Sequence, residues 1–236
     1  MASLDSVKQK FQRAKIHRDE LHRELVSYYE SNPGNLFETP ESTPEHRLYE
    51  FREKKPIPAH FGLICGDCLQ CLRSSLDYLV WELVEAAGKP THKQLMFPVS
   101  LIAKDYKSEL TKRHRLDGVD PTAISIIDTL QPCVSDDPER SPLAMLDALT
   151  NLNKHRRIIL TSLAGTIETI PESSPCIIGI IGQISSPDGQ VNEFPMSGCM
   201  TIQDCLAKDI EIIHFLDMTA FFISQQILPL FKKFFK

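Results

Sequence analysis

Two short segments hold the residues best suited to chemistry. In Leu72-Arg73-Ser74-Ser75-Leu76-Asp77-Tyr78, Arg73 and Asp77 stand four apart. On a helix that spacing places them on one face about a turn apart. The flanking residues are apolar, and a charge in such surroundings needs a partner because an unpaired buried charge is costly. An internal ion pair and a polar cleft between core helices both satisfy that need. The second segment is Asn151-Leu152-Asn153-Lys154-His155-Arg156-Arg157. On a helix Asn151, Lys154 and His155 share a face, with Leu152, Ile158 and Ile159 on the other side. His155 has the right intrinsic acidity for general acid or base work near neutral pH. Lys154, Arg156 and Arg157 suit a phosphate. A solvated basic helix end explains the same run, since cations favour helix C-termini.

Other candidates are better read as structure. Lys112 to Arg115 fits an exposed helix end, and His17 and His22 fit the solvated side of the first helix. Cys65, Cys68 and Cys71 fall at i, i+3 and i+6 with no second Cys/His pair at zinc spacing, so they read as small apolar residues packing one helix face, with no metal and no cofactor. The chain carries no phosphate-cradling glycine loop, dinucleotide fingerprint, His-Glu-x-x-His zinc motif or nucleophile elbow. A kinase, dehydrogenase or serine hydrolase therefore has no support.

The elements that position these residues are mostly helical. Residues 4–31 repeat Val7, Phe11, Ala14, Leu21, Leu25 and Tyr28 near the 3.6 period and stop at Ser31-Asn32-Pro33-Gly34. Residues 35–44 read as a loop and 47–52 as a short strand. The strongest helix spans 59–87, broadly apolar and ended by Gly88-Lys89-Pro90. Further helices are expected at 101–112, at 121–130 behind Pro121, and at 142–161 behind Ser141-Pro142. The period then changes. Residues 166–170, 176–184, 191–194 and 200–202 are β-branched or alternating, and Pro187-Asp188-Gly189 is a turn signal. Asp204 is expected to cap a last helix reaching about residue 234, bent at Pro229. The fold class is mainly α: a helical bundle in one domain over 1–236, with a small antiparallel β meander inserted at 163–203 before the C-terminal helix.

The segment Gly66 to Val84, with Leu72-Arg73-Ser74-Ser75-Leu76-Asp77-Tyr78-Leu79-Val80-Trp81 at its centre, resembles a helix found in bacterial proteins of unassigned function. Those proteins also carry an Asn-x-x-Lys-His-Arg segment, matched here by Asn151 to Arg156. The pattern is in turn similar to HEPN domains, helical bundles that are often dimeric. Many of these are metal-independent ribonucleases of toxin or phage-defence systems with an Arg-x4-6-His motif. Arg73 matches the arginine, and Tyr78 stands where the histidine is expected. The resemblance implies RNA as substrate, with His155 supplying proton transfer and Arg73 and Lys154 stabilising phosphorane charge. On that reading Arg73, Asp77, Tyr78 and His155 are the catalytic candidates, and Asn151, Lys154, Arg156 and Arg157 bind.

Bulk properties bound these readings. Hydrophobic residues make up 42 % and charged residues 24 %, enough to build a packed core. A net charge of −5 restricts any nucleic-acid contact to a local patch. Met1 opens into a charged helix and the 7 cysteines are odd in number, which points to free thiols in a reducing cytoplasm. The apolar C-terminal run is interrupted by His214, Asp217, Gln225, Gln226 and Pro229, so no membrane span is expected. Possible partners are RNA, a second copy of the chain, or another protein. The competing class is a non-catalytic interaction protein whose polar residues are internal struts.

Overall fold

The structure, a computed structural model, describes residues 2–31, 33–38, 49–158, 160–164, 178–185, 191–203, 205–208 and 210–235. Helix α1 (Asp5–Glu30) follows its apolar stripe: Val7, Ala14, Leu21, Leu25, Tyr28 and Tyr29 are buried. They pack on α2 (His60–Ala86), which buries Cys65, Leu69, Leu72, Leu76, Leu79, Val80, Leu83 and Val84. Spacings of three and four along both helices keep the buried stripes in register along the pair. Cys68 joins this seam, its Sγ donating to the Ala14 carbonyl at 3.2 Å. Burial raises the Cys65 thiol well above its ordinary value and pushes Cys68 up to about 12. Both therefore behave as small apolar core residues.

After α2 the chain crosses the bundle in an extended stretch through Phe97, then forms α3 (Ala103–Thr111) and α4 (Pro121–Thr129). Asp120 caps α4, accepting from the Thr122 N–H at 2.7 Å. Helix α5 (Pro142–Asn153) buries Leu143, Met145, Leu146 and Leu149. It ends well before the expected residue 161. Residues 154–156 form a turn, and the β-branched run that follows continues as strand β3 (Leu160–Ala164). The last helix likewise starts later than expected. Glu211 caps α6 (Ile212–Phe221), accepting from the Ile213 N–H at 3.0 Å. A π-turn over Phe222–Ile227 leads into α7 (Leu228–Phe231). It sits just before Pro229, where the absent N–H and the ring would break an ordinary α-turn.

The strands form one sheet that is not a meander. Its order is β2-β1-β4-β5-β3, with β1 (Gly34–Glu38), β2 (Tyr49–Glu53), β4 (Ile178–Ser185) and β5 (Val191–Ile202). β5 lies between β3 and β4, antiparallel to both. β1 and β2 pair residue by residue as an antiparallel ladder, and β1 joins β4 in parallel through Leu36 and Ile184. Residues 35–38, expected in a loop, therefore belong to a strand, and the β structure is not confined to 163–203. The β1–β4 contact joins chain before α2 to chain after it, and such a non-local contact leaves little local trace. The expected strand at 166–170, the turn at 187–189 and the Asp204 cap lie outside the described residues. Among the described residues no helix is long and apolar enough to cross a membrane.

Two glycines let the segment after α5 lie against α2. A Cβ on Gly62 would collide with the Ile158 carbonyl oxygen and come within 2.8 Å of Arg157 Cγ. A Cβ on Gly66 would come within 2.6 Å of Asn153 Cγ. The first obstacle is backbone and cannot rotate away. Gly62→Ala is therefore expected to destabilise the fold by about 1–3 kcal/mol, as overpacking does. Gly66→Ala, opposed by a side-chain amide that can turn, should cost less. Chemical denaturation of the two variants checks both the sign and the order.

Candidate functional site

Arg73 lies on the inner face of α2 and is only 7 % exposed. Its burial demands acceptors, and it has three. Nη1 donates to Asp77 Oδ1 at 2.6 Å, Nε to Asp147 Oδ1 at 3.2 Å and Nη2 to the Phe97 carbonyl at 2.8 Å. Asp77 also accepts the Phe97 N–H at 3.0 Å. The i, i+4 pair thus grips both backbone polar groups of one buried residue in the extended crossing. Phe97 is fully buried, so those groups would otherwise lack partners. Gln131 extends the anchoring, donating to the Pro98 carbonyl at 2.9 Å.

Asp147 is the residue that sequence reasoning missed. A lone carboxylate among Leu143, Leu146 and Leu149 on α5, four before Asn151, was the available signal. Its second oxygen accepts Asn151 Nδ2 at 2.9 Å, and Asn151 Oδ1 accepts Lys154 Nζ at 2.8 Å. One chain of contacts therefore runs from Asp77 through Arg73, Asp147 and Asn151 to Lys154. It joins residues of both sequence segments. With two carboxylates and one guanidinium, the Asp77-Arg73-Asp147 core carries a formal charge of −1. Burial raises the Asp77 carboxyl above its ordinary value, against the lowering effects of Arg73 and the Phe97 N–H.

His155 is not part of this chain of contacts. It sits in the turn after α5, exposed, with its backbone N–H donating to the Leu152 carbonyl at 3.0 Å. Arg73 meets α5 at Asp147, about 9 Å of helix axis before the helix ends. The turn bearing His155 lies instead by the first two turns of α2, at Gly62 and Gly66. The helical face expected to unite Asn151, Lys154 and His155 breaks because α5 stops at Asn153. Arg156 and Arg157 are exposed on the same turn, with the Arg157 stem against Gly62. Tyr78 is 41 % exposed on α2, with Lys10 Nζ 5.2 Å from its ring centroid, and takes no part in the Arg73 hydrogen bonds among the described residues. No group of three or more metal-ligating side chains occurs among the described residues.

The geometry thus separates the expected site into a buried ionic junction and an exposed basic turn. The junction can hold a backbone in place; it presents no guanidinium to a substrate. The turn can meet an anion. No protein family, curated protein or solved structure matches the chain.

Arg73→Ala leaves two carboxylates and a backbone carbonyl without their donor, and should cost about 3–5 kcal/mol of stability. Urea unfolding followed by circular dichroism measures it. Asp77 also predicts a pH signature. Its folded-state value lies above 3.8, so the folded chain holds a proton that the unfolded chain releases. The contribution of Asp77 is fullest below 3.8 and declines as pH rises through the raised value. Asp77→Asn should remove that part of the pH slope in the same unfolding experiment.

Proposed function

We propose that this chain is a non-catalytic helical interaction protein in which Arg73 and Asp77 are an internal strut. The observation that carries this reading is the engagement of Arg73: each of its three nitrogens donates to a protein acceptor, and the side chain is buried. A catalytic guanidinium must be free to meet charge as it develops. Releasing this one would break the Phe97 anchor and leave Asp77 and Asp147 half-buried without a cation. Catalysis and folding would then compete for one group.

A second reading is a dimeric HEPN-like protein acting on RNA in a toxin or phage-defence setting. The exposure of Lys154, His155, Arg156 and Arg157 on one turn favours it. Phosphate contact would then fall to this turn, with His155 moving the proton at a ribose 2′-hydroxyl and Lys154, not Arg73, facing the phosphorane.

Incubation of the purified protein with RNA separates the two. The interaction reading expects RNA to stay intact, overexpression to leave growth unchanged, and His155→Ala to alter neither. Cleavage that His155→Ala abolishes while the melting temperature is unchanged would establish the second reading.

A further inference from the structure

The outer side of α2 carries a feature that neither the strut nor the basic turn explains. Tyr78 and Trp81, at i and i+3, are each 41 % exposed, unusual for large aromatic rings on a helix at the centre of the core. With Ser6, Asp77, Glu82 and Leu95 they line a groove of about 460 Å³. The indole is held in place, its Nε1 donating to Glu85 at 3.0 Å. Leu95, 9 % exposed, adds an apolar surface.

The groove lining carries two carboxylates, Asp77 and Glu82, and Lys10 stands at its Tyr78 side. Both described partners of the part-buried Glu82 carboxylate are neutral: the Ser3 N–H at 2.9 Å and the Ser6 hydroxyl at 2.6 Å. These donors fix the carboxylate without cancelling its charge. Asp77 shares the one guanidinium of Arg73 with Asp147, so these three residues together carry a formal charge of −1. The molecule already places a cation on this aromatic surface, Lys10 above the Tyr78 ring. Aromatic faces attract cations through their quadrupole, tryptophan most strongly.

We propose that this groove receives an arginine side chain of a partner polypeptide. The guanidinium stacks on Trp81 and donates to the free lone pairs of Glu82, while its stem lies along Leu95. Arginine fits better than lysine because its planar group both stacks and forks onto a carboxylate. The inference names a partner chemistry for the interaction reading and rests on it.

Trp81 is the one tryptophan of the chain, so its emission reports on this groove alone. Hexa-arginine peptide titrated into the full chain at low salt should give a saturable change in that emission. Glu82→Gln should weaken it about tenfold. Tyr78→Ala, at an exposed position, should weaken it without unfolding the protein. Asp136→Asn, an exposed acid outside the groove, should leave it unchanged, and hexalysine should bind more weakly. No emission change, or a change that Glu82→Gln and Tyr78→Ala leave intact, overturns the groove. Equal binding of hexalysine overturns the choice of arginine. An emission change on concentrating the protein alone would assign the groove to the basic turn of a second copy and overturn the separate partner. RNA cleavage, by contrast, would remove the interaction reading and leave the peptide result standing, so the two failures are distinguishable.

Discussion

A buried guanidinium organises the centre of this molecule. Arg73 cannot sit inside the bundle without acceptors, and its acceptors come from three places in the chain: Asp77 one turn along α2, Asp147 on α5, and the Phe97 backbone between them. Two helices and an extended crossing are fixed relative to one another by one side chain. Exchange of this cluster for apolar residues of equal volume could hold the bundle as well, since buried ion pairs gain little over good packing. The ionic version adds direction. The guanidinium fork accepts partners only where its N–H groups point, and the Phe97 N–H and carbonyl both fall within the reach of the pair.

The same two helices meet again nearer the start of α2, by a different means. There the contact is steric: Gly62 and Gly66 leave room for Ile158, Arg157 and Asn153. The contacts pair Gly66 with Asn153 and Arg73 with Asp147, so α2 and α5 run antiparallel, small residues at one crossing and charges at the other. This gives a structural account of why these two segments stand out in the sequence. Gly66 and Asn153 touch, as do Arg73 and Asp147, and Asn151 and Lys154 extend that contact. Residues that read as a catalytic constellation are also what two helices need to lock together.

The mainly helical bundle was legible because amphipathic periodicity is local. The stripe on α1, the apolar breadth of α2 and the prolines opening α4 and α5 each announce their element within a few residues. The pairing of Asn151 with Lys154 and of Arg73 with Asp77 followed from helical spacing. What escaped is what depends on distant chain. The end of α5 is set by the close approach of residues 153–158 to α2 and by strand β3 pairing with β5, neither visible in the residues themselves. The junction of β1 with β4 spans α2 in sequence. Asp147 became meaningful only once Arg73 lay opposite it. His155 left the helical face of Asn151 for the same reason that α5 is short.

The central claim is that Arg73 and Asp77 exist to hold the Phe97 backbone, and amide hydrogen exchange at Phe97 tests it most directly. The Phe97 N–H should exchange only on global unfolding, with protection matching the most stable amides of α2, and Arg73→Lys should speed its exchange far more than that of amides remote from the junction. A Phe97 amide that exchanges rapidly in the unaltered protein, or whose protection is indifferent to Arg73→Lys, would contradict the strut and return the guanidinium to the list of groups available for chemistry.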